Sequence, residues 1–317
     1  MSEKHPVIAV TGASGAGTTV VQQAFKYIFR RQNINACFIH GDGFMRYEAR
    51  EMEARIKDAT EKGKAVSCYG PELNDFEKLQ SVFRTYSENG HGKIRRAINT
   101  EEHATRFSKS VGSFTEWEDI PGNTDLLFYE GMHGGVVSET WTRRKMSDSH
   151  NPIVKEERRG NHAGNVIDVA RYVDLLIGVV PAINLEWIQK IHLDNHRARL
   201  CPEDTTTTIL DRLQDYIHFI VPQFSVTDIN FQRVPIVDTS NPFIARDVPT
   251  ESESIVVIRF REPAKYDFPL LLKRINKSFM SRPNTMVIPG GEMRHALEVI
   301  CAPIIERLCK NSHKGRD

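Results

Sequence analysis

The run Gly12-Ala13-Ser14-Gly15-Ala16-Gly17-Thr18-Thr19 constrains what this chain can fold into more than any other segment. It follows a β-branched run, Pro6 to Val10, that reads as a strand. It precedes Thr18 to Arg31, where Val20, Val21, Ala24, Phe25, Ile28 and Phe29 recur at helical spacing. Strand, glycine-rich turn and helix in that order make an anion cradle. Glycines at 12, 15 and 17 let consecutive backbone N–H groups converge on phosphate oxygens with no Cβ in the way. The helix N-terminus adds its partial positive charge at the same point. The pattern is the nucleotide-binding GxxxxGK[ST] loop, except that Thr18 stands where the lysine belongs. Thr19 offers the hydroxyl that joins a Mg²⁺ shell, and Val20 carries the nucleotide loop into the helix. ATP with Mg²⁺ is the expected ligand. With the lysine absent, another lysine or arginine must reach the β- and γ-phosphates.

The rest of the chain alternates strands with helices. Ala36 to His40 reads as a second strand, stopped by Gly41-Asp42-Gly43, and completes a strand–helix–strand unit of the length a right-handed parallel crossover needs. Arg46 to Lys64 reads as an exposed helix, and Pro71 to Tyr86 as another with Leu73, Phe76, Leu79 and Phe83 on one face. Thr124 to Glu130 and Tyr172 to Val180 are continuous apolar runs, as in strands buried on both faces. Helices over Ile183 to Leu200 and Thr206 to Phe219, strands at Ser254 to Phe260 and Thr285 to Ile288, and a closing helix from Met293 to Leu308 follow. This alternation predicts one elaborated α/β domain over 1–317 with a largely parallel sheet. The irregular stretch at about 138–164, rich in Arg, Lys, Ser, Asn and His, reads as an exposed insertion or mobile loop.

Composition closes off other classes. Lys plus Arg number 42 against 41 Asp plus Glu, so no general basic surface suits nucleic acid, and any anion must meet a local cluster. No apolar run approaches the ~18 residues of a membrane span, so no membrane partner is expected. The charged N-terminus runs straight into a strand and does not resemble an export signal. Cys37, Cys68, Cys201, Cys301 and Cys309 are scattered without CxxC spacing, which predicts a reducing, cytoplasmic setting with neither a disulfide framework nor a zinc site.

Several residues carry candidate chemistry. Asp42, just past the second strand, faces the crevice where parallel sheets bind ligands. There it could orient and deprotonate an acceptor hydroxyl, or it could simply form the turn. Glu130 ends a buried strand, where such enzymes place the acid of the metal site, and Gly131, Gly134 and Gly135 leave room beside it. His133 reads either as a substrate contact or as a brace for that turn. Lys190 and Asp194 stand four apart on one helix face. They read as a solvated ion pair or, functionally, as the replacement for the loop lysine and a second acid at the metal or acceptor site.

Taken together, GASGAGTT, GDGF, FYEGMHGG, VVPAINLEWIQKIH, VPQFSVTDINFQRVP and VDTSNPFIAR resemble the bacterial phosphoribulokinase family over most of the chain. The resemblance implies a P-loop, nucleotide-kinase-like three-layer α/β fold with a mixed, largely parallel sheet. It implies transfer of the ATP γ-phosphate to the 1-hydroxyl of ribulose 5-phosphate in the Calvin cycle. By motif, Asp42 matches the catalytic base, Glu130 the metal-site acid, Lys190 the phosphate-contacting lysine and Asp194 the second acidic residue. The bacterial family similarly lacks the loop lysine. A homo-oligomer, with NADH as activator and AMP as inhibitor, is also implied, and Arg31, Arg259 and Arg282 stand where effector-linked arginines fall. Ala16 occupies the place of the cysteine behind redox control in the plant enzymes.

The departures gather at the acceptor site. Met45 stands for a histidine, Ala49 for an arginine now displaced to Arg50, Leu193 for an arginine, and Ala198 for an arginine flanked here by Arg197 and Arg199. Ala97-Ile98-Asn99 stands for Tyr-Leu-His. A guanidinium holds a sugar phosphate with a rigid fork, so Arg46, Arg50, Arg95, Arg96, Arg197 or Arg199 must replace what is missing. Two other readings stay open: a kinase of the same fold acting on another small hydroxyl compound, and a nucleotide-binding regulatory protein with little turnover.

Overall fold

Val7–Gly12 forms β1, buried along its whole length. Its side chains alternate between two apolar layers, Ile8 and Val10 packing on one face and Val7 and Ala9 on the other. The structure, a computed structural model, describes residues 5–12, 18–63, 66–144, 156–158, 166–197, 212–241 and 247–314. Helix α1 (Thr18–Arg31) covers the first face with Val21, Ala24, Phe25 and Ile28, beside the closing helix Met293–Lys314. The second face is covered by α3 (Phe76–Asn89) through Phe76, Leu79, Val82, Phe83 and Tyr86. The result is three layers, with the sheet in the middle.

Strands β2 (Ala36–His40), β5 (Leu126–Gly131), β8 (Leu175–Pro181) and β9 (Ile229–Pro235) join β1 in parallel, in the order β9-β8-β1-β5-β2. The sheet then continues antiparallel from β9 through β10 (Ser254–Phe260) and β12 (Thr285–Pro289) to β11 (Phe279–Arg282), which makes eight strands. The parallel arrangement therefore holds as far as β9, and the last three strands are antiparallel, with β12 lying between β10 and β11. Short pairs β3 (Lys93–Ile94) with β4 (Glu118–Asp119), and β6 (Thr142–Arg144) with β7 (Glu156–Arg158), lie outside this sheet. The latter pair falls within the stretch expected to be irregular, whose residues 145–155 and 159–164 lie outside the described ones.

Two helix starts move for physical reasons. The helix expected from Arg46 is α2 (Ala49–Glu61), because Met45 bridges Asn74 and the Arg46 amide donates to the Leu73 carbonyl at 2.8 Å. Pro71 to Asp75 is not helical: Leu73 is buried as expected, yet α3 starts only where Asp75 accepts the Lys78 amide at 2.9 Å as its N-cap. Ile183–Arg197 forms α5, with 198–200 outside the described residues. Of the helix expected over Thr206 to Phe219, 206–211 lie outside, 212–215 are helical, and Tyr216–Ile220 widens into a π turn. The helix α4 (Glu101–Phe107), the helix Phe268–Arg274 and strands β9 and β11 were not foreseen. Among the described residues no helix is long and apolar enough to cross a membrane.

Candidate active site

Parallel register brings several chain reversals to one sheet edge. Val10 and His40 both stand opposite Glu130, Thr11 opposite Gly131, and Gly12 opposite Val179. The loop after β1, the Asp42 turn after β2, Glu130 at the end of β5 and α5 after β8 therefore leave the sheet together, at the carboxyl ends where such sheets bind ligands. Gly12 is required there, since a Cβ on it would lie 2.2 Å from the Val179 carbonyl oxygen.

Asp42 sits in a 3₁₀ turn, Gly41–Phe44. Its Oδ2 accepts a hydrogen bond of 2.9 Å from Asn99 Nδ2. Arg95 grips the turn from outside, its Nε donating to the Gly43 carbonyl at 2.8 Å and its Nη2 to the Met45 carbonyl. The Arg95 guanidinium is itself stacked 3.8 Å from the Phe114 ring centroid and 4.7 Å from that of Trp117.

Glu130 receives Gln22 Nε2 of α1 at 3.4 Å, and Lys26 Nζ donates to Gln22 Oε1 at 2.8 Å. Burial pushes the Glu130 carboxyl up to about 7; the Gln22 bond and the Lys26 charge pull it down, and the Asp42 charge pushes it up. Glu130 thus feels the Asp42 charge at the strand end opposite Val10, and these hard carboxylate oxygens fit a divalent cation such as Mg²⁺. Among the described residues no group of three His, Cys, Asp or Glu side chains could hold a metal unaided.

The turn after β5 is tied down by Gln223, only 2% exposed. Its Oε1 accepts from Thr11 Oγ1 at 3.1 Å and from the Gly135 amide at 3.0 Å, while its Nε2 donates to the Met132 and Phe219 carbonyls at 2.9 Å each. One buried amide thus joins the ends of β1 and β5.

Ala13 to Gly17, Ala198 and Arg199 lie outside the described residues. Thr18, Thr19 and Val20 open α1, and Lys190, Leu193, Asp194 and Arg197 all fall on α5. His133 braces the turn: it is 3% exposed, bonded through Nε2 to the Tyr69 carbonyl at 3.1 Å, and tilted 4.8 Å from the Phe76 ring. Burial drives its pKa down to about 4, so the ring is neutral near pH 7. Arg46 is likewise committed elsewhere, to the Pro71 carbonyl at 3.1 Å and to Glu77 at 2.7 Å. Arg50 is exposed in the first turn of α2. Arg259 and Arg282 line one cavity of about 340 Å³ on the antiparallel half, whereas Arg31 edges a cavity of about 600 Å³ between α1 and the closing helix. Within one chain these arginines do not converge. Gln22, Arg95, Asn99 and Gln223 hold the site together, yet they were not singled out for that part.

A nucleotide loop and two strand-end acids at the carboxyl edge of a three-layer sheet define a P-loop kinase. The chain belongs to the phosphoribulokinase / uridine kinase family, whose model matches residues 7–148 and 138–240. It is 46% identical over 314 residues to the phosphoribulokinase of Sinorhizobium medicae strain WSM419, covering 99% of both chains. It is equally 46% identical over 316 residues to the chromosomal phosphoribulokinase of Cupriavidus necator, again over 99% of both. The solved phosphoribulokinase from Rhodobacter spheroides superposes with a TM-score of 0.82 at 42% identity, over 98% of this chain and 100% of that one.

Proposed function

We propose that this chain transfers the γ-phosphoryl group of ATP to the 1-hydroxyl of ribulose 5-phosphate, giving ribulose 1,5-bisphosphate and ADP. The observation that supports this reading is the meeting of the Asp42 turn, Glu130 and the Thr11-Gly12 end of β1 at one sheet edge, in a chain that matches phosphoribulokinases end to end. Neither another acceptor nor a silent regulator is favoured by relatives of that breadth.

In this reading Asp42 orients the acceptor hydroxyl and takes its proton as the new P–O bond forms and the bond to the β-phosphate breaks. Phosphoryl transfer has a loose transition state, so holding the acceptor in line matters more than base strength. Glu130 and Thr19 would hold Mg²⁺, which would supply charge neutralisation for the transferring phosphoryl group. Lys190 supplies the cation missing at Thr18, with Asp194 beside it on α5. With Arg46 engaged at the start of α3, Arg50, Arg197 and Arg199 are the arginines proposed for the sugar phosphate. A single domain over 1–317, a cytoplasmic setting, a homo-oligomer, and NADH and AMP as effectors complete the proposal.

Mg-ATP-dependent ADP release, measured with ribulose 5-phosphate and with a panel of other small hydroxyl compounds, tests it. Turnover selective for ribulose 5-phosphate is expected. Faster turnover of another acceptor, or none with any, contradicts it.

A further inference from the structure

We propose that Arg95 to Asn99 is a clamp on the Asp42 turn, and that Asn99 is a positioning residue for the Asp42 carboxylate. The inference rests on Asp42 being the base that receives the acceptor proton.

A carboxylate on a surface turn is free to rotate about its χ angles, whereas a base must sit within hydrogen-bond reach of one hydroxyl in one direction. Asn99 Nδ2 holds Oδ2 of Asp42 at 2.9 Å, which leaves Oδ1 to face the acceptor. The donor is a neutral amide. It fixes orientation without placing a full positive charge beside the base, which would stabilise the carboxylate and weaken its pull on a proton.

The donor is itself held on both sides. Ile98, fully buried, donates its amide to the Ser113 carbonyl at 2.9 Å and accepts the Gly112 amide at 2.8 Å. Thr100, on the other side, caps α4 by accepting the His103 amide at 3.2 Å. Further back, Arg96 and Thr115 exchange two bonds, Arg96 N to Thr115 Oγ1 and Thr115 N to the Arg96 carbonyl, both at 3.0 Å. At the far end of the segment Arg95 is stacked on two aromatic rings and bonds the carbonyls of Gly43 and Met45, directly after Asp42. The contact is close: a Cβ on Gly43 would lie 2.4 Å from the Arg95 carbonyl oxygen. One short segment thus fixes both the backbone that carries Asp42 and the direction of its side chain.

Position 99 is where the resemblance places a histidine, another N–H donor, in the family. The test is steady-state kinetics of ribulose 5-phosphate phosphorylation for Asn99→Leu and Asn99→His, beside Asp42→Asn. Displacing reacting groups by about 1 Å can lower a rate roughly a hundredfold, so Asn99→Leu should lower kcat about ten- to a hundredfold. The KM for ATP and the melting temperature should stay near those of the parent, because the Asn99 side chain is exposed. Asn99→His should recover most of the loss, since its ring N–H can still reach Oδ2. Gly43→Ala, which presses on the clamp from the other side, should lower kcat in the same direction. An Asn99→Leu enzyme with kcat within twofold of the parent overturns the proposal. So does a loss expressed only as a raised KM for the sugar phosphate, or one that histidine does not restore. An active Asp42→Asn enzyme would instead overturn the underlying assignment of the base, whatever Asn99 does.

Discussion

Gly41 and Gly131 meet face to face at the site edge. A Cβ built on Gly131 would lie 2.8 Å from the Gly41 Cα and 2.5 Å from the Tyr129 hydroxyl. Only glycine at both positions lets the turn that carries Asp42 close against the end of the strand that carries Glu130. The separation of these two acids is therefore set by backbone contact over a buried tyrosine.

Gly131→Ala should force that contact apart. Overpacking at a tight site typically costs about 1–3 kcal/mol, so a lower melting temperature is expected, together with a fall in kcat larger than any change in ATP affinity. An alanine variant with parental melting temperature and kcat would show that the two turns tolerate separation.

The raised carboxyl of Glu130 gives a pH signature with a definite sign. Its pKa moves from 4.5 to about 7 on folding, chiefly by burial. The group therefore favours the folded state fully below its unfolded pKa, and that contribution is lost as pH rises through about 7. Without Mg²⁺, the melting temperature of the parent should fall relative to Glu130→Gln between about pH 5 and pH 8. Mg²⁺ binding needs the ionised form, so affinity should climb up to about pH 7 and then level off. Parallel pH curves for parent and variant, in stability and in Mg²⁺ affinity, would remove Glu130 from the metal site.

The parts of this site read from sequence are those whose cause is local. The β-branched run at Val7 to Val10, the glycine spacing after it and the helical period of α1 each follow from neighbouring residues. The placement of Asp42 and Glu130 at strand ends was also legible, because each closes an apolar run followed by glycine. Asn99 was not, since its bond to Asp42 spans 57 positions and no period announces it. Gln22 and Gln223 are hidden for the same reason, as ordinary amides made structural by partners 108 and 91 positions away. Strand β9 was missed because Asn230, Gln232 and Arg233 break its apolar character, while its place is set by pairing with β8 and β10. His133 looked like a site residue because it lies among glycines; only packing on Phe76 and the bond to Tyr69 show its ring turned inward.

Lys190 is the proposed substitute for the loop lysine, from its place on α5 after β8. Removing a charge-assisted bond typically costs about 1.5–3 kcal/mol, so Lys190→Met should lower kcat roughly ten- to a hundredfold at saturating Mg-ATP and acceptor. An exposed ion pair would contribute about 0–1 kcal/mol and leave kcat unchanged. Parental kinetics in Lys190→Met would mean that another cation meets the phosphates.

Asp42, held on the turn that packs against the end of the Glu130 strand, is the proposed acceptor of the sugar hydroxyl proton. The direct measurement is phosphorylation of ribulose 5-phosphate by Asp42→Asn at saturating Mg-ATP, with ATP affinity titrated on the same preparation. Base contributions typically reach ~10²–10⁴-fold, so transfer should fall by at least that lower figure while ATP binds as in the parent. Retention of more than about a tenth of the parental rate, with ATP binding intact, would exclude Asp42 as the base.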